Sequence, residues 1–201
     1  MKNKEGKVSG KLIVLLVVTT LLVIGAVSFT CYYYFNIPKE VKENKLEGGS
    51  VNLTYSDDTS SLRLDSVVKL DDLDGMIINK ADSYFDFTVD VALDEASKIE
   101  YEISVIPNKE TTVPSKYIKV YLEKLQTGSF VSVSEPMLLK PIKEKNDFGS
   151  KPGSMILYNN SLRRSLSDNY RLRAWVDNTS QYVVSPTDKI VLDVEVNGKA
   201  S

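Results

Sequence analysis

Two hydrophobic rhythms divide the chain. From Leu12 to Phe35 apolar residues follow one another almost without a break (LIVLLVVTTLLVIGAVSFTCYYYF), and no charge interrupts them. A helix rises about 1.5 Å per residue, so roughly 20 such residues cross a hydrocarbon layer about 30 Å thick. The run predicts one transmembrane helix over residues 12–35. Further along, the rhythm changes to period two. Phe85, Phe87, Val89 and Val91 alternate with Asp86, Thr88 and Asp90, and Ile99, Tyr101, Ile103 and Val105 with Glu100, Glu102 and Ser104. Ile118, Val120 and Leu122 repeat the pattern, as do Ile190, Leu192, Val194 and Val196. Alternation of this kind gives a strand one face in a core and one in water.

Shorter strands are expected within Ser61–Leu70, Gly75–Asn79, Ser129–Ser134, Ser154–Tyr158 and Tyr170–Val176, and single helical turns at Pro114–Lys116 and Asn160–Leu166. Turn signals such as Asp74-Gly75, Thr127-Gly128, Pro152-Gly153 and Asn197-Gly198 separate the runs. The fold predicted is all-β: an antiparallel β-sandwich, Ig-like or jelly-roll-like, of about seven to nine strands, preceded by one N-terminal transmembrane helix. The organisation expected is a cytoplasmic N-terminus at 1–11, a transmembrane signal anchor at 12–35, a juxtamembrane linker at 36–60 and an extracytoplasmic sandwich at 61–201. Val51, Leu53 and Tyr55 alternate within the linker and offer an additional edge strand.

Charge orients the anchor. Lys2, Lys4, Lys7 and Lys11 stand before the run against Glu5 alone, whereas Lys39, Lys42 and Lys45 after it are matched by Glu40, Glu43 and Glu47. Positive charge stays on the cytoplasmic side, so the N-terminus is expected inside and the sandwich outside. Tyr32, Tyr33, Tyr34 and Phe35 stand where an interfacial aromatic belt belongs. Ala26-Val27-Ser28 fits a small-x-small cleavage site, so secretion after cleavage near Ser28 is the alternative to a retained anchor. Cys31 lacks a lipobox before it and reads as an ordinary residue of the apolar helix, with palmitoylation as the other reading.

Composition removes several classes of chemistry. The chain contains no histidine and one cysteine, which lies in the apolar run. His-based triads, His-rich zinc sites and Cys–His catalysis have no residues to build on, and no disulfide braces the domain. The net charge is −2, and the lysine-rich start leaves the remainder more acidic still. Nucleic acid, which needs a basic face, is not an expected partner.

Two constellations invite a functional reading. Arg171, Arg173 and Trp175 share one face of their strand, and Arg and Trp are frequent at binding hot spots. They are the candidate partner-binding residues. The structural alternative has the 136–153 loop capping Trp175 while the arginines stack on it or pair with Asp193 and Glu195. That loop, PMLLKPIKEKNDFGSKPG, is long for a sandwich connection and is read either as a mobile insertion or as a binding loop. Asp71, Asp72 and Asp74 precede Gly75 in the manner of a calcium loop, but Leu70 and Ala81 occupy the first and twelfth positions where an EF-hand needs acids. A solvated acidic turn is the expectation, so no cofactor is assigned; a weak calcium site completed by Asp65 or Asp82 is the alternative.

Three stretches carry a family resemblance: Tyr84-Phe85-Asp86-Phe87-Thr88-Val89, then Ile99-Glu100-Tyr101-Glu102-Ile103-Ser104-Val105, and Leu157-Tyr158 with Tyr170-Arg171-Leu172-Arg173-Ala174-Trp175-Val176-Asp177. With the export segment, they resemble the camelysin/TasA-like family of secreted β-sandwich proteins of the bacterial biofilm matrix. The resemblance implies an exported sandwich able to assemble into surface fibres. The metalloprotease activity described for some members finds no histidine to receive it, and a retained anchor conflicts with free fibre assembly.

The expectation is a non-enzymatic protein with a structural, adhesion or matrix-association role at the bacterial cell surface. Its partners would be the lipid bilayer through residues 12–35 and, through the ectodomain, a protein partner or a second copy. The alternative is an accessory or sensor subunit binding a partner protein in an envelope complex.

Overall fold

The computed structural model describes residues 10–35, 41–55, 60–80 and 82–201. The chain divides into two units, residues 1–38 and 39–201. The first contains helix α1 (Gly10–Phe35), 26 residues long. Its side chains are described at Lys11 and 16–28; the expected belt at Tyr32, Tyr33, Tyr34 and Phe35 lies outside the described side chains. Among the described residues no helix is long and apolar enough to cross a membrane. The transmembrane span expected over 12–35 therefore has no support from them.

The second unit is built of strands β1 (Val41–Leu46), β2 (Gly49–Tyr55), β3 (Ser61–Leu64), β4 (Lys69–Leu70), β5 (Tyr84–Leu93), β6 (Ile99–Pro107), β7 (Ile118–Gln126), β8 (Ser129–Ser132), β9 (Met137–Leu138), β10 (Met155–Leu162), β11 (Leu166–Asp177) and β12 (Ile190–Ala200). Among the described residues of this unit, helix is confined to α2 (Asp72–Ile77) and a 3-10 turn at Ser115–Tyr117. One sheet has the order β1-β2-β5-β11-β7-β8, with β4 beside β11 and β9 beside β7. The other has the order β10-β6-β12-β3. All pairings are antiparallel except β4 with β11. The architecture is sandwich-like, and its core is the alternating set that period two selects. Val51, Leu53, Phe87, Val89, Val120, Leu122 and Leu172 from one sheet join Ile99, Ile103, Val105, Leu192 and Val194 from the other, all nearly fully buried.

Aromatic rings run through this core. Tyr55, Phe85, Phe87 and Tyr170 follow one another at centroid separations of 5.9, 6.0 and 5.6 Å. From the opposite sheet, the Tyr101 hydroxyl reaches the Tyr170 hydroxyl and accepts a bond from Asn160 Nδ2. Each buried hydroxyl thus has a partner, as burial of a polar group requires.

Four expectations are corrected. The segment 36–60 is not a linker throughout, because β1 and β2 occupy 41–55. Val51, Leu53 and Tyr55 are at most 2 % exposed, and β2 is an inner strand of its sheet rather than an edge. Polar residues on alternate positions and the Gly48 turn (φ +82°) hid a strand that the hydrophobic face of β5 requires as neighbour. Gly75–Asn79 is largely helix, capped by Asp71, whose carboxylate accepts the Asp74 N–H. Asn160–Leu166 is no helical turn: β10 runs through Leu162 and β11 starts at Leu166. The 136–153 loop carries β9 and is held down: Asn146 Nδ2 donates to both Glu102 oxygens and the Ser150 hydroxyl donates to one of them.

Candidate functional site

The side of the first sheet turned away from the core carries the predicted residues. Period two on β11 sends Tyr170, Leu172, Ala174 and Val176 inward and leaves Arg171, Arg173 and Trp175 on the outer side. Register then decides their neighbours. Arg171 pairs with Asp86 of β5 and Glu123 of β7, while Arg173 pairs with Tyr84 and Tyr121.

Arg171 makes a two-pronged ion pair with Asp86, Nε and Nη2 each 2.7 Å from a carboxylate oxygen. Fork-on-fork contact of this kind is the strongest form of Arg–carboxylate pairing. Its guanidinium lies 3.8 Å from the Tyr84 ring centroid and 4.2 Å from that of Phe130. The bonds it donates to Asp86 hold the guanidinium above its ordinary pKa. Arg173, 5 % exposed, donates from Nε to Glu123 at 2.8 Å and from Nη1 to the Ile78 carbonyl. The arginines therefore answer Asp86 and Glu123, which correct the expected partners. Asp193 accepts instead from Ser61 and Asn108, and Glu195 meets Lys42 and Lys151.

Trp175 is 1 % exposed although it stands outside the inter-sheet core. Its cover is α2, which corrects the expected capping by the 136–153 loop. A Cβ built on Gly75 would fall 2.4 Å from the indole ring, so only glycine lets the helix backbone lie this close. The indole Nε1 is buried and has no hydrogen-bond partner among the described residues. β4 holds the near end of α2 against β11, with Val176 N–H donating to Val68 O and Asn178 N–H to Leu70 O. The outer surface of α2 exposes Leu73 and Ile77.

The acidic triplet is thereby dispersed into structural tasks. Asp71 caps α2, Asp72 accepts from Lys119 Nζ at 2.7 Å, and Asp74 lies in the first helical turn. Lys119 also stands 3.5 Å from Asp177. Burial works to lower the Lys119 ammonium, but Asp72 and Asp177 together hold it above its ordinary pKa. Burial likewise pushes Asp177 up, and the Thr179 hydroxyl and N–H with Lys119 bring it below the usual carboxylate range. Among the described residues no group of three or more His, Cys, Asp or Glu side chains converges in a way that could hold a metal ion.

Two features escaped the sequence pattern. Glu102 reads as a solvent-side strand residue but is 2 % exposed, because the 136–153 loop folds over it. α2 over Trp175 escaped too, since six residues are too few to show helical periodicity. Asp71 ahead of Asp74-Gly75 was the available signal, as an N-cap residue type before a short turn.

The charged groups of this surface satisfy one another, and it offers contact area with aromatic and guanidinium planes. No family model and no curated protein matches this chain. Among solved structures it is similar to a β-glucosidase from Kluyveromyces marxianus, at 11 % identity and TM-score 0.23 over 59 % of this chain and 13 % of that one. It is also similar to the CBM22-2 xylan-binding domain of Paenibacillus barcinonensis Xyn10C, at 10 % identity and TM-score 0.22 over 83 % and 89 % of the two chains. The tandem CBM22-1-CBM22-2 domain of the same protein gives 12 % identity and TM-score 0.20 over 83 % and 44 %. Likeness at this level carries no argument about fold or function.

Proposed function

We propose that this chain is a membrane-tethered β-sandwich with a non-enzymatic structural, adhesion or matrix-association role at the bacterial cell surface. The observation that carries the reading is the contrast between its two parts. Residues 39–201 bury their apolar side chains in a core of their own. α1 does the opposite: Leu16, Leu21, Leu22 and Val23 are each more than 60 % exposed. Apolar area on that scale is costly in water at about 25 cal/mol per Å² and calls for a lipid or protein environment. The uncharged run Leu12–Phe35, with its lysines ahead of it, favours lipid and an outward-facing sandwich. The interlocked ion pairs of the outer face favour contact over catalysis, and the resemblance to the camelysin/TasA-like family points the same way.

Protease added to intact cells tests the reading. The expected result is digestion of residues 39–201 on the outside, with the protein sedimenting in the membrane fraction until residues 1–35 are deleted. A protected sandwich that stays in the cytosol overturns it.

A further inference from the structure

We propose that α2 occupies, from within the same chain, a Trp175-floored site that receives an acidic peptide segment of a partner protein. The proposal goes beyond the tethering and matrix reading and does not depend on it.

The chemistry of the contact is one-sided. The floor presents two donors to α2, the Lys119 ammonium and the Arg173 guanidinium, beside the face of the Trp175 ring. α2 and the residue after it present acceptors: the Asp72 carboxylate to Lys119 and the Ile78 carbonyl to Arg173. Between these two points the bare Gly75 backbone lies on the indole face. An acid, a small residue on the ring and a following carbonyl are what an extended or loosely wound acidic peptide also supplies.

The internal occupant fits imperfectly. The indole N–H is buried and meets no acceptor among the described residues, and an unmade buried hydrogen bond is costly. Leu73 and Ile77 are 72 % and 74 % exposed, so the same helix leaves apolar side chains in water. α2 has six residues, below the length at which a helix is stable by itself. Lifting it leaves both sheets and β4 intact, because β4 holds β11 through its own backbone bonds. It exposes Lys119 and Arg173, each still accompanied by Asp177 or Glu123. A ligand that replaces both acceptors and adds one for the indole N–H outcompetes the helix. Acidic peptide is the class that returns to Lys119 the carboxylate and to Arg173 the carbonyl that α2 supplies.

Trp175 is the single tryptophan of the chain, so its fluorescence reports the cover directly. In the full chain held in detergent, Asp72→Lys sets two cations against each other and is expected to release α2. Emission should move to longer wavelength and acrylamide quenching should rise, with the β-sheet circular dichroism unchanged. A synthetic peptide of residues 70–78, LDDLDGMII, should then restore the original emission saturably, and a version with its three aspartates replaced by lysine should not. Unchanged emission in the variant, or equal effects of the two peptides, overturns the proposal. Hydrogen exchange on the unsubstituted chain decides the matter if the variant fails to fold. Gly75 and Ile78 amides should exchange on the order of 100-fold faster than those of Leu172 and Ala174, and faster again with the acidic peptide alone. Equal rates, or no acceleration specific to that peptide, overturn it.

Discussion

The hydroxyls of Tyr101 on β6 and Tyr170 on β11 lie 2.7 Å apart, a hydrogen bond that joins the two sheets through the middle of their core. Asn160 Nδ2 adds a donor to Tyr101 at 3.1 Å, and Tyr170 stacks on Phe87. A polar pair at this depth fixes how the sheets face each other, because slippage would bury the Tyr170 hydroxyl away from Tyr101 and leave Tyr101 with Asn160 alone. Tyr170→Phe removes one partner and keeps the ring. We expect a loss of about 1–2 kcal/mol in urea unfolding, the usual cost of a buried hydrogen bond. Loss below about 0.3 kcal/mol would show that Asn160 alone satisfies Tyr101.

The same pair sets an alkaline limit. Burial pushes Tyr101 up to about 12, and burial together with the neighbouring Tyr101 pushes Tyr170 up further. A raised folded-state pKa means that this contribution to stability is complete below about pH 10, where an unfolded tyrosine begins to ionise. It is lost as pH rises from there through the folded value. Unfolding free energy should fall between pH 10 and 12, and the fall should be shallower in Tyr101→Phe/Tyr170→Phe. Equal slopes would place the alkaline loss elsewhere. On the acid side, the Ser185 backbone N–H is the main group holding Asp188 below the usual carboxylate range, despite its burial. Its contribution is present above the ordinary aspartate pKa and disappears as pH falls through the lowered one.

Domain boundaries are open to truncation. A fragment starting at Lys39 keeps β1 and β2, whereas one starting at Ser61 strips β2 from β5 and uncovers Phe87, Val89 and Val91. The longer fragment should melt cooperatively. The shorter should not fold, and a cooperative melt from it would return residues 41–55 to the status of a linker.

Glu102 is expected to govern the 136–153 loop. Glu102→Ala leaves the Asn146 amide and the Ser150 hydroxyl without their acceptor, at a cost of about 1–3 kcal/mol for the buried groups. Trypsin should then cleave faster at the exposed Lys143 and Lys145 while the sheets remain resistant. Unchanged cleavage would show that other contacts hold the loop.

Arg171 and Asp86 should be coupled. Both are partly exposed, so a double-mutant cycle with Arg171→Ala and Asp86→Ala should give about 1 kcal/mol rather than the larger value of a buried pair. Arg171→Lys should recover little of it, since an ammonium neither forks onto Asp86 nor lies flat between Tyr84 and Phe130. Full recovery by lysine would reduce the interaction to charge alone.

Some of this architecture was legible in the residues themselves. The alternation in β5, β6, β7 and β12 gave strands and told which side chains face inward, because the pleat sends successive Cβ atoms to opposite faces whatever the partner strand. The same rule grouped Arg171, Arg173 and Trp175 on one face. It also held within Val51, Leu53 and Tyr55, where only the status of the segment was misjudged. The lack of histidine fixed what chemistry is out of reach before any fold was known.

Partners were decided only in three dimensions. Which acid meets Arg171 depends on β5 and β11 lying side by side in one register, and those strands are separated in sequence by β6 to β10, which are divided between the two sheets. Glu102 became buried because a distant loop folds over it, and Trp175 because Gly75 leaves space for a helix backbone against its ring. Periodicity is a local property of the chain, set by φ and ψ. Register, cover and pairing arise from contacts between segments far apart, and local sequence carries no record of them.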